Sequence, residues 1–285
     1  MPVYDKVGII GCGTMGAGIA EVCARKGVLV RAAVASADSA RRGRGRLLKS
    51  LDSAVRKGRT TEVEREEILG RISFTTDLGA FEDYGFVIES VTEDITAKLT
   101  VFSLLDKTMN RPDAVLATNT SSLPVARIAA ATASPERVVG VHFFNPAPAL
   151  PLVEIVSSLL TGDDTRRAAE RFVRETLGKT PVHAPDRAGF IVNSLLIPYL
   201  LAAIRMLETG VAAGAVDDAM VLGCSHPMGP LRLADLIGLD TVVAIAEALH
   251  GEFREPQYAP PPLLRRMVDV GILGRKTKKG FYAYD

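Results

Sequence analysis

Val7-Gly8-Ile9-Ile10-Gly11-Cys12-Gly13-Thr14-Met15-Gly16-Ala17-Gly18 is the stretch that decides the fold. Residues 7–10 form a short, unbroken apolar run, the pattern of a strand buried within a parallel sheet. The run leads directly into Gly-x-Gly-x-x-Gly, and a helical pattern follows with Ile19, Val22 and Cys23 on one face. Strand, glycine turn and helix in that order open a dinucleotide-binding sheet. Each glycine has a task. Gly11 permits the tight turn, Gly13 lets the backbone approach a pyrophosphate, and Gly16 allows helix and strand to pack closely. Thr14 and Met15 begin the helix, whose free N–H groups and positive dipole end suit phosphate. Gly11, Gly13, Thr14, Met15 and Gly16 are therefore the expected cofactor loop. The competing reading is a glycine turn with a purely structural role.

Outward from this loop, residues 28–34 read as the second strand. An NAD-binding sheet ends that strand with an acid that bonds the ribose 2′-hydroxyl. This chain has Val34, followed by Ala35 and Ser36; the nearest acid is Asp38, with Arg41 and Arg42 close behind. The expected cofactor is NAD, with Asp38 or Ser36 serving the ribose. NADP is the alternative, because arginines without an acid suit a 2′-phosphate. Residues 38–58 read as a helix with Leu47, Leu48, Leu51 and Val55 on one side. Its arginines and lysines are either an ordinary solvated face or a landing area for a phosphate-bearing substrate.

Further strands are expected at 72–75, 86–89, 115–118, 138–141, 152–156 and 181–183, with helices at 60–69, 98–107 and 164–177 between them. This alternation predicts an α/β fold: a Rossmann-type doubly wound, mainly parallel sheet forming a dinucleotide-binding domain over residues 1–185. From residue 190 the alternation stops. Helices at 195–208, 215–222, 231–249 and 262–271 predict an all-helical domain over 186–285, and residues 280–282 a closing strand or tail.

Two polar groups fall at strand ends. Asn119-Thr120-Ser121-Ser122 follows one strand, where an ordinary helix cap needs only one of the four side chains. The next strand delivers His142, and Glu154 follows twelve residues later inside the apolar run Leu152-Val153-Glu154-Ile155-Val156. A charge in such surroundings needs a partner. A carboxylate held against one histidine nitrogen fixes the tautomer and raises the basicity of the other. The bland alternative is a core-edge histidine and a surface glutamate. His142 is one of four histidines; His183, His226 and His250 have no comparable acid in the sequence pattern.

Composition excludes several classes. The net charge of +1 carries no basic patch of the kind that nucleic acid requires. Cys12, Cys23 and Cys224 lack zinc spacing and leave an odd thiol, which suits a reducing cytoplasm and no metal site. No apolar run reaches membrane-spanning length, and no basic-then-apolar leader opens the chain.

Taken together, GCGTMGAG, NTSS, HFFNPAP followed by LVE, DRAGFIVN, HPMGP and GRKTKKGFY resemble the 3-hydroxyacyl-CoA dehydrogenase family, most nearly its short bacterial 3-hydroxybutyryl-CoA members. The resemblance spans residues 6–284. It implies hydride transfer between a nicotinamide cofactor and C3 of an (S)-3-hydroxyacyl-CoA. His142 would be the general base, Glu154 its orienting partner, and Ser121 and Asn193 would bond the reacting oxygen or a nearby carbonyl. Glu93, Lys98, Asn145 and Lys276 match cofactor-contacting positions, and Ser50 and Lys57 match positions near the CoA handle. A homodimer is implied as well. Val34 departs from the family's acid, which touches cofactor choice and not the catalytic set. Two alternatives remain: a carrier-protein thioester as substrate, or a homologue that binds cofactor without catalysis.

Overall fold

The computed structural model describes residues 3–285. The chain forms two compact units, one ending at Asp186 and the other comprising Arg187–Asp285.

The first unit is built on an eight-stranded sheet of order β3-β2-β1-β4-β5-β6-β7-β8. The strands are β1 (Lys6–Ile10), β2 (Leu29–Ala33), β3 (Ile72–Thr75), β4 (Phe86–Glu89), β5 (Val115–Thr118), β6 (Val138–Phe143), β7 (Leu152–Ser157) and β8 (Thr180–Pro185). The first six run parallel, while β7 is antiparallel to β6 and parallel to β8. Its helices are α1 (Thr14–Arg25), α2 (Ala37–Arg56), α3 (Glu62–Gly70), α4 (Ile95–Thr108), α5 (Val125–Ala129) and α6 (Asp163–Arg171). Every residue of β4, β5 and β6 is buried, which is why these strands are mostly apolar, with Glu89, Thr118 and His142 as the polar residues near their C-terminal ends. Ile9, Ile88, Val141 and Ile155 lie in one core with Phe86 and Phe172. Each such side chain contributes roughly 1.5–3 kcal/mol by leaving water. The strand order reverses between β1 and β4, which places the crevice for ligands at the C-terminal ends of these two strands.

Three boundaries differ from the sequence reading. β6 extends to Phe143 because β7 pairs with it from Gly140↔Val156 through Phe143↔Val153. His142 thus lies inside a strand, not beyond its end. Helix α4 begins at Ile95, a turn before residue 98, because Asp94 caps it by accepting from the Ala97 N–H at 2.8 Å. That early start puts Lys98 in the first turn. The helix expected over 164–177 stops being α-helical at Arg171 and continues as a π turn, Phe172–Thr176.

The second unit is helical: α7 (Val192–Glu208), α8 (Ala213–Cys224), α9 (Pro230–Ile237), α10 (Leu239–Phe253) and α11 (Pro262–Asp269). Ile197, Leu201, Leu231, Val242, Leu249 and Leu264 meet in its core. The single helix expected over 231–249 is two helices. Gly238 takes φ +102° between them, a conformation open to glycine, while the leucine periodicity runs on across the break. Residues 280–282 form no named strand. Their chain is clamped instead by buried Asp235, which accepts from the Phe281 and Tyr282 N–H groups at 3.0 and 3.1 Å. Among the described residues, no helix is long and apolar enough to cross a membrane.

Candidate active site

The glycine loop shows two kinds of demand. Gly11 has φ +94°, and a Cβ there would fall 2.5 Å from the Ser90 carbonyl oxygen; a Cβ at Gly16 would fall 2.0 Å from the Gly11 carbonyl oxygen. Backbone itself therefore requires these two glycines. Around Gly13, a Cβ would meet nothing within 4 Å, so no protein contact explains its glycine. Open space at that point is what close approach by a bound pyrophosphate needs. Helix α1 starts here without a side-chain cap and without an acid in its first turn, so its positive end is not neutralised. Thr14 is exposed and Met15 half-buried beside the same turn. These features fit a dinucleotide's phosphates.

Val34 follows β2, is buried, and gives its N–H to the Thr75 carbonyl at 2.9 Å. Ser36 caps α2 by accepting from the Ser39 N–H at 3.2 Å. Arg41 pairs with Asp38, and Arg42 donates to Ser39 Oγ at 2.9 Å, within the first two turns of α2.

His142 and Glu154 stand directly opposite each other in the antiparallel β6–β7 register. Their side chains therefore share one face of the sheet. His142 Nδ1 lies 2.8 Å from Glu154 Oε2, with the histidine 6% and the glutamate 1% exposed. The Phe144 ring packs on the imidazole at 4.5 Å between centroids. Residues 144–151 form the loop that brings β7 back, and they include the cis Asn145–Pro146 bond. Lys179 holds this loop by donating to the Ala147 and Leu150 carbonyls at 2.8 and 2.6 Å. Asn119 Oδ1 accepts from the Phe143 N–H at 2.8 Å, tying the end of β5 to the strand that carries His142.

The NTSS turn is held by Glu93. Its Oε1 accepts from the Ser121 N–H at 2.9 Å, from Ser122 Oγ at 3.3 Å and from Thr120 Oγ1. Lys98 Nζ lies 3.2 Å from Glu93 Oε2 and 2.7 Å from Glu89 Oε1. Burial acts to raise the Glu93 pKa, but Lys98 and the donors of Thr120 and Ser121 outweigh it and hold the carboxyl below its usual range. Ser121 is thus positioned through its backbone, beside the strand end that leads to His142.

Residues 6–187 match the model of the 3-hydroxyacyl-CoA dehydrogenase NAD binding domain, and residues 189–284 match the model of the same enzymes' C-terminal domain. The chain belongs to the 3-hydroxyacyl-CoA dehydrogenase family. It is 53% identical to the 3-hydroxybutyryl-CoA dehydrogenase of Mycobacterium tuberculosis over 281 residues, which cover 98% of each chain. The 3-hydroxybutyryl-CoA dehydrogenase of Clostridioides difficile is 42% identical, covering 98% of this chain and 99% of the relative. The crystal structure of M. tuberculosis FadB2 superposes with a TM-score of 0.97 at 52% identity, covering 99% of each chain. That of (S)-3-hydroxybutyryl-CoA dehydrogenase from Ralstonia eutropha gives 0.91 at 39% identity, again with 99% of each chain.

Within this member of the 3-hydroxyacyl-CoA dehydrogenase family, the first unit collects Gly11, Gly13, Gly16, Glu93, Ser121 and His142 at one edge of the sheet, with Glu154 behind the histidine. Asn145 is exposed on the loop after β6. Lys98 is a different matter. Its side chain is 1% exposed and its ammonium is held by two carboxylates, so it acts on Glu93 and not as an open ligand contact. Ser50 and Lys57 are exposed and lie two turns apart on α2 and its C-cap, on one side of the helix. Asn193 and Lys276 belong to the second unit. Asn193 is buried in the first turn of α7, and Lys276 is paired with Asp240.

The other histidines differ from the sequence reading in one respect. His183 does have an acid, Glu170 at 3.1 Å, but the imidazole is 45% exposed on the outer strand β8. His226 Nδ1 pairs with Tyr199 Oη at 3.0 Å. Sequence reasoning missed Glu89 and the cap formed by Asp186, and it placed Asn119 in a polar cluster without giving it a task. Asp186 caps α5 by accepting from the Val125 and Ala126 N–H groups at 2.8 and 2.7 Å. The signal for Glu89 was present: an acid inside Phe86-Val87-Ile88-Glu89 is the same anomaly that marked Glu154. All three cysteines are free, and burial pushes the thiols of Cys12 and Cys23 up to about 11 and about 12.

Proposed function

We propose that the chain interconverts a short (S)-3-hydroxyacyl-CoA and its 3-ketoacyl-CoA. The observation that carries this reading is the buried 2.8 Å contact between His142 Nδ1 and Glu154 Oε2 at the ligand edge of a dinucleotide-binding sheet. A nicotinamide cofactor, when bound on the glycine loop, supplies the hydride acceptor. The protein supplies the proton path and the geometry. Glu154 accepts a hydrogen bond from the Nδ1–H group, so the lone pair lies on His142 Nε2, which takes the proton of the 3-hydroxyl as hydride leaves C3. In the reverse direction the same nitrogen returns the proton to the nascent alkoxide. Ser121 and Asn193 are assigned the reacting oxygen or the thioester carbonyl, and Asn145 and Lys276 the cofactor. The exposed cations of α2, with Ser50 and Lys57, are assigned the phosphate-bearing end of CoA. The test is reduction of acetoacetyl-CoA, followed by loss of cofactor absorbance with NADH and NADPH in parallel; no turnover with either overturns the reading.

NAD is the proposed partner, with NADP tolerated because Val34 places no carboxylate against a 2′-phosphate. Val34→Asp is expected to lower kcat/KM for NADPH about 10-fold or more relative to NADH, since a like charge at close range costs roughly 1–4 kcal/mol near a protein surface. An unchanged NADPH-to-NADH ratio in that variant would remove position 34 from cofactor choice. The second unit leaves Leu195, Leu222 and Val270 at 71%, 83% and 72% exposed. These side chains support a homodimer of a cytoplasmic enzyme, for which light scattering should give twice the chain mass.

A further inference from the structure

Glu89 is the residue for which the reaction has no use as described so far, and it is fully buried at the C-terminal end of β4. It stands opposite Ile10 of β1 and Thr118 of β5 in the sheet register, so it sits at the junction of three strand ends. Its neighbour Ser90 is the residue whose carbonyl crowds Gly11 of the cofactor loop. The carboxylate is well supplied with donors. Oε1 accepts from Lys98 Nζ and from the Val91 N–H, both at 2.7 Å, and Oε2 accepts from Thr118 Oγ1 at 2.7 Å. Lys98 reaches on to Glu93, and Glu93 holds the Ser121 N–H.

Such a pair is a poor way to stabilise a fold. Taking two charges out of water costs several kcal/mol per ion, and apolar side chains of similar volume do as well or better in a core. What a buried pair provides is direction: it places an ammonium at one point and allows no other. Here that point is the carboxylate that holds the turn between β5 and α5. Three carboxylate and ammonium groups thus connect the crevice wall beside the glycine loop to the Ser121 backbone.

We infer that Glu89 is a positioning residue: through Lys98 it fixes Glu93, and through Glu93 it fixes the Ser121 turn against the cofactor loop. This rests on the reading of Ser121 and Glu93 as substrate- and cofactor-facing. Removing the Glu89 charge leaves the Lys98 ammonium to Glu93 alone and draws that carboxylate inward, away from the Ser121 N–H.

The experiment compares the full-length wild type, Glu89→Gln and the charge-balanced double variant Glu89→Gln/Lys98→Met. The readouts are the thermal midpoint, the Kd for NADH by its fluorescence, and kcat/KM for acetoacetyl-CoA. Glu89→Gln is expected to lower kcat/KM about 100-fold, the effect of a misplacement on the order of 1 Å. It is expected to weaken NADH about tenfold as well. The double variant removes one charge of each sign from the buried pair and leaves Glu93, whose side chain is 39% exposed, to its Thr120, Ser121 and Ser122 donors, so its thermal midpoint returns towards that of the wild type while kcat/KM and NADH affinity stay low. Recovery of NADH affinity and turnover together with stability would show that the pair serves the fold alone and would overturn the inference. Should the wild type fail to reduce acetoacetyl-CoA, the proposed reaction falls. The relay is then still judged on NADH affinity in the double variant, where persistent weakening supports it and recovery overturns it.

Discussion

His142→Ala is expected to lower kcat for acetoacetyl-CoA reduction by about 10³-fold or more while leaving NADH affinity within about threefold. The size follows from the role. General acid–base catalysis by one positioned side chain contributes about 10²–10⁴-fold. The split between kcat and binding follows from place: the imidazole faces the ligand edge from β6, whereas the glycine loop follows β1, and β4 and β5 lie between the two strands. His142→Gln is the control for packing, since it fills the site with a polar side chain that does not titrate near neutral pH. Turnover within about tenfold of wild type in either variant would remove His142 from the chemistry, because that loss lies below the usual range for a general base.

The part of the molecule that carries this prediction was legible in the sequence, for a physical reason. A sheet strand buried on both faces must be apolar throughout, so a histidine or an acid within one is an anomaly that demands a partner. Glu154 announced itself this way inside its apolar run, whereas His142 read as the residue just past a strand end, beside other polar groups. The glycine loop was legible because backbone crowding at Gly11 and Gly16 leaves no room for another residue type. The mainly parallel sheet and the helical second unit followed from the alternation of strands and helices and its end near residue 190.

What escaped was set by contacts between residues distant in sequence or by conformations that periodicity does not register. Glu89 read as the ordinary end of a strand, since its partners Lys98 and Thr118 lie nine and 29 residues away. Lys98 read as the first residue of a helix and a cofactor-contacting position, and its burial between two carboxylates was hidden because the start of α4 depends on the Asp94 cap, a turn earlier than expected. The break at Gly238 was hidden by leucines that continue on both sides of it. Asn119 was recognised as part of a polar cluster, but its task of holding the Phe143 N–H exists only once β5 and β6 are neighbours.

The same geometry makes Glu154 the second residue whose loss should be severe. Glu154→Gln is expected to lower kcat about 10³-fold, with the thermal midpoint shifted by only a few degrees, by analogy with a carboxylate that fixes a catalytic imidazole's tautomer. The glutamate is acceptor-only, so the Nδ1 nitrogen 2.8 Å away must bring the proton and Nε2 keeps the lone pair. Glutamine occupies nearly the same volume in β7, and the sheet register that places residue 154 opposite residue 142 does not depend on its charge. Its amide can, however, donate to Nδ1. That contact puts the ring proton on Nε2, which then has no lone pair for the substrate hydroxyl. The imidazolium formed during oxidation also loses its countercharge in a site where Glu154 is 1% exposed and water screens little. Both effects act on the barrier and neither touches the cofactor loop, so NADH affinity should hold while both directions of the reaction slow together. Glu154→Asp separates distance from charge: it keeps an acceptor but withdraws it by about one methylene, and its kcat should lie between those of wild type and Glu154→Gln. A Glu154→Gln enzyme as fast as wild type would mean that some other group sets the His142 tautomer, and that the pairing across β6 and β7 serves only to satisfy a buried charge.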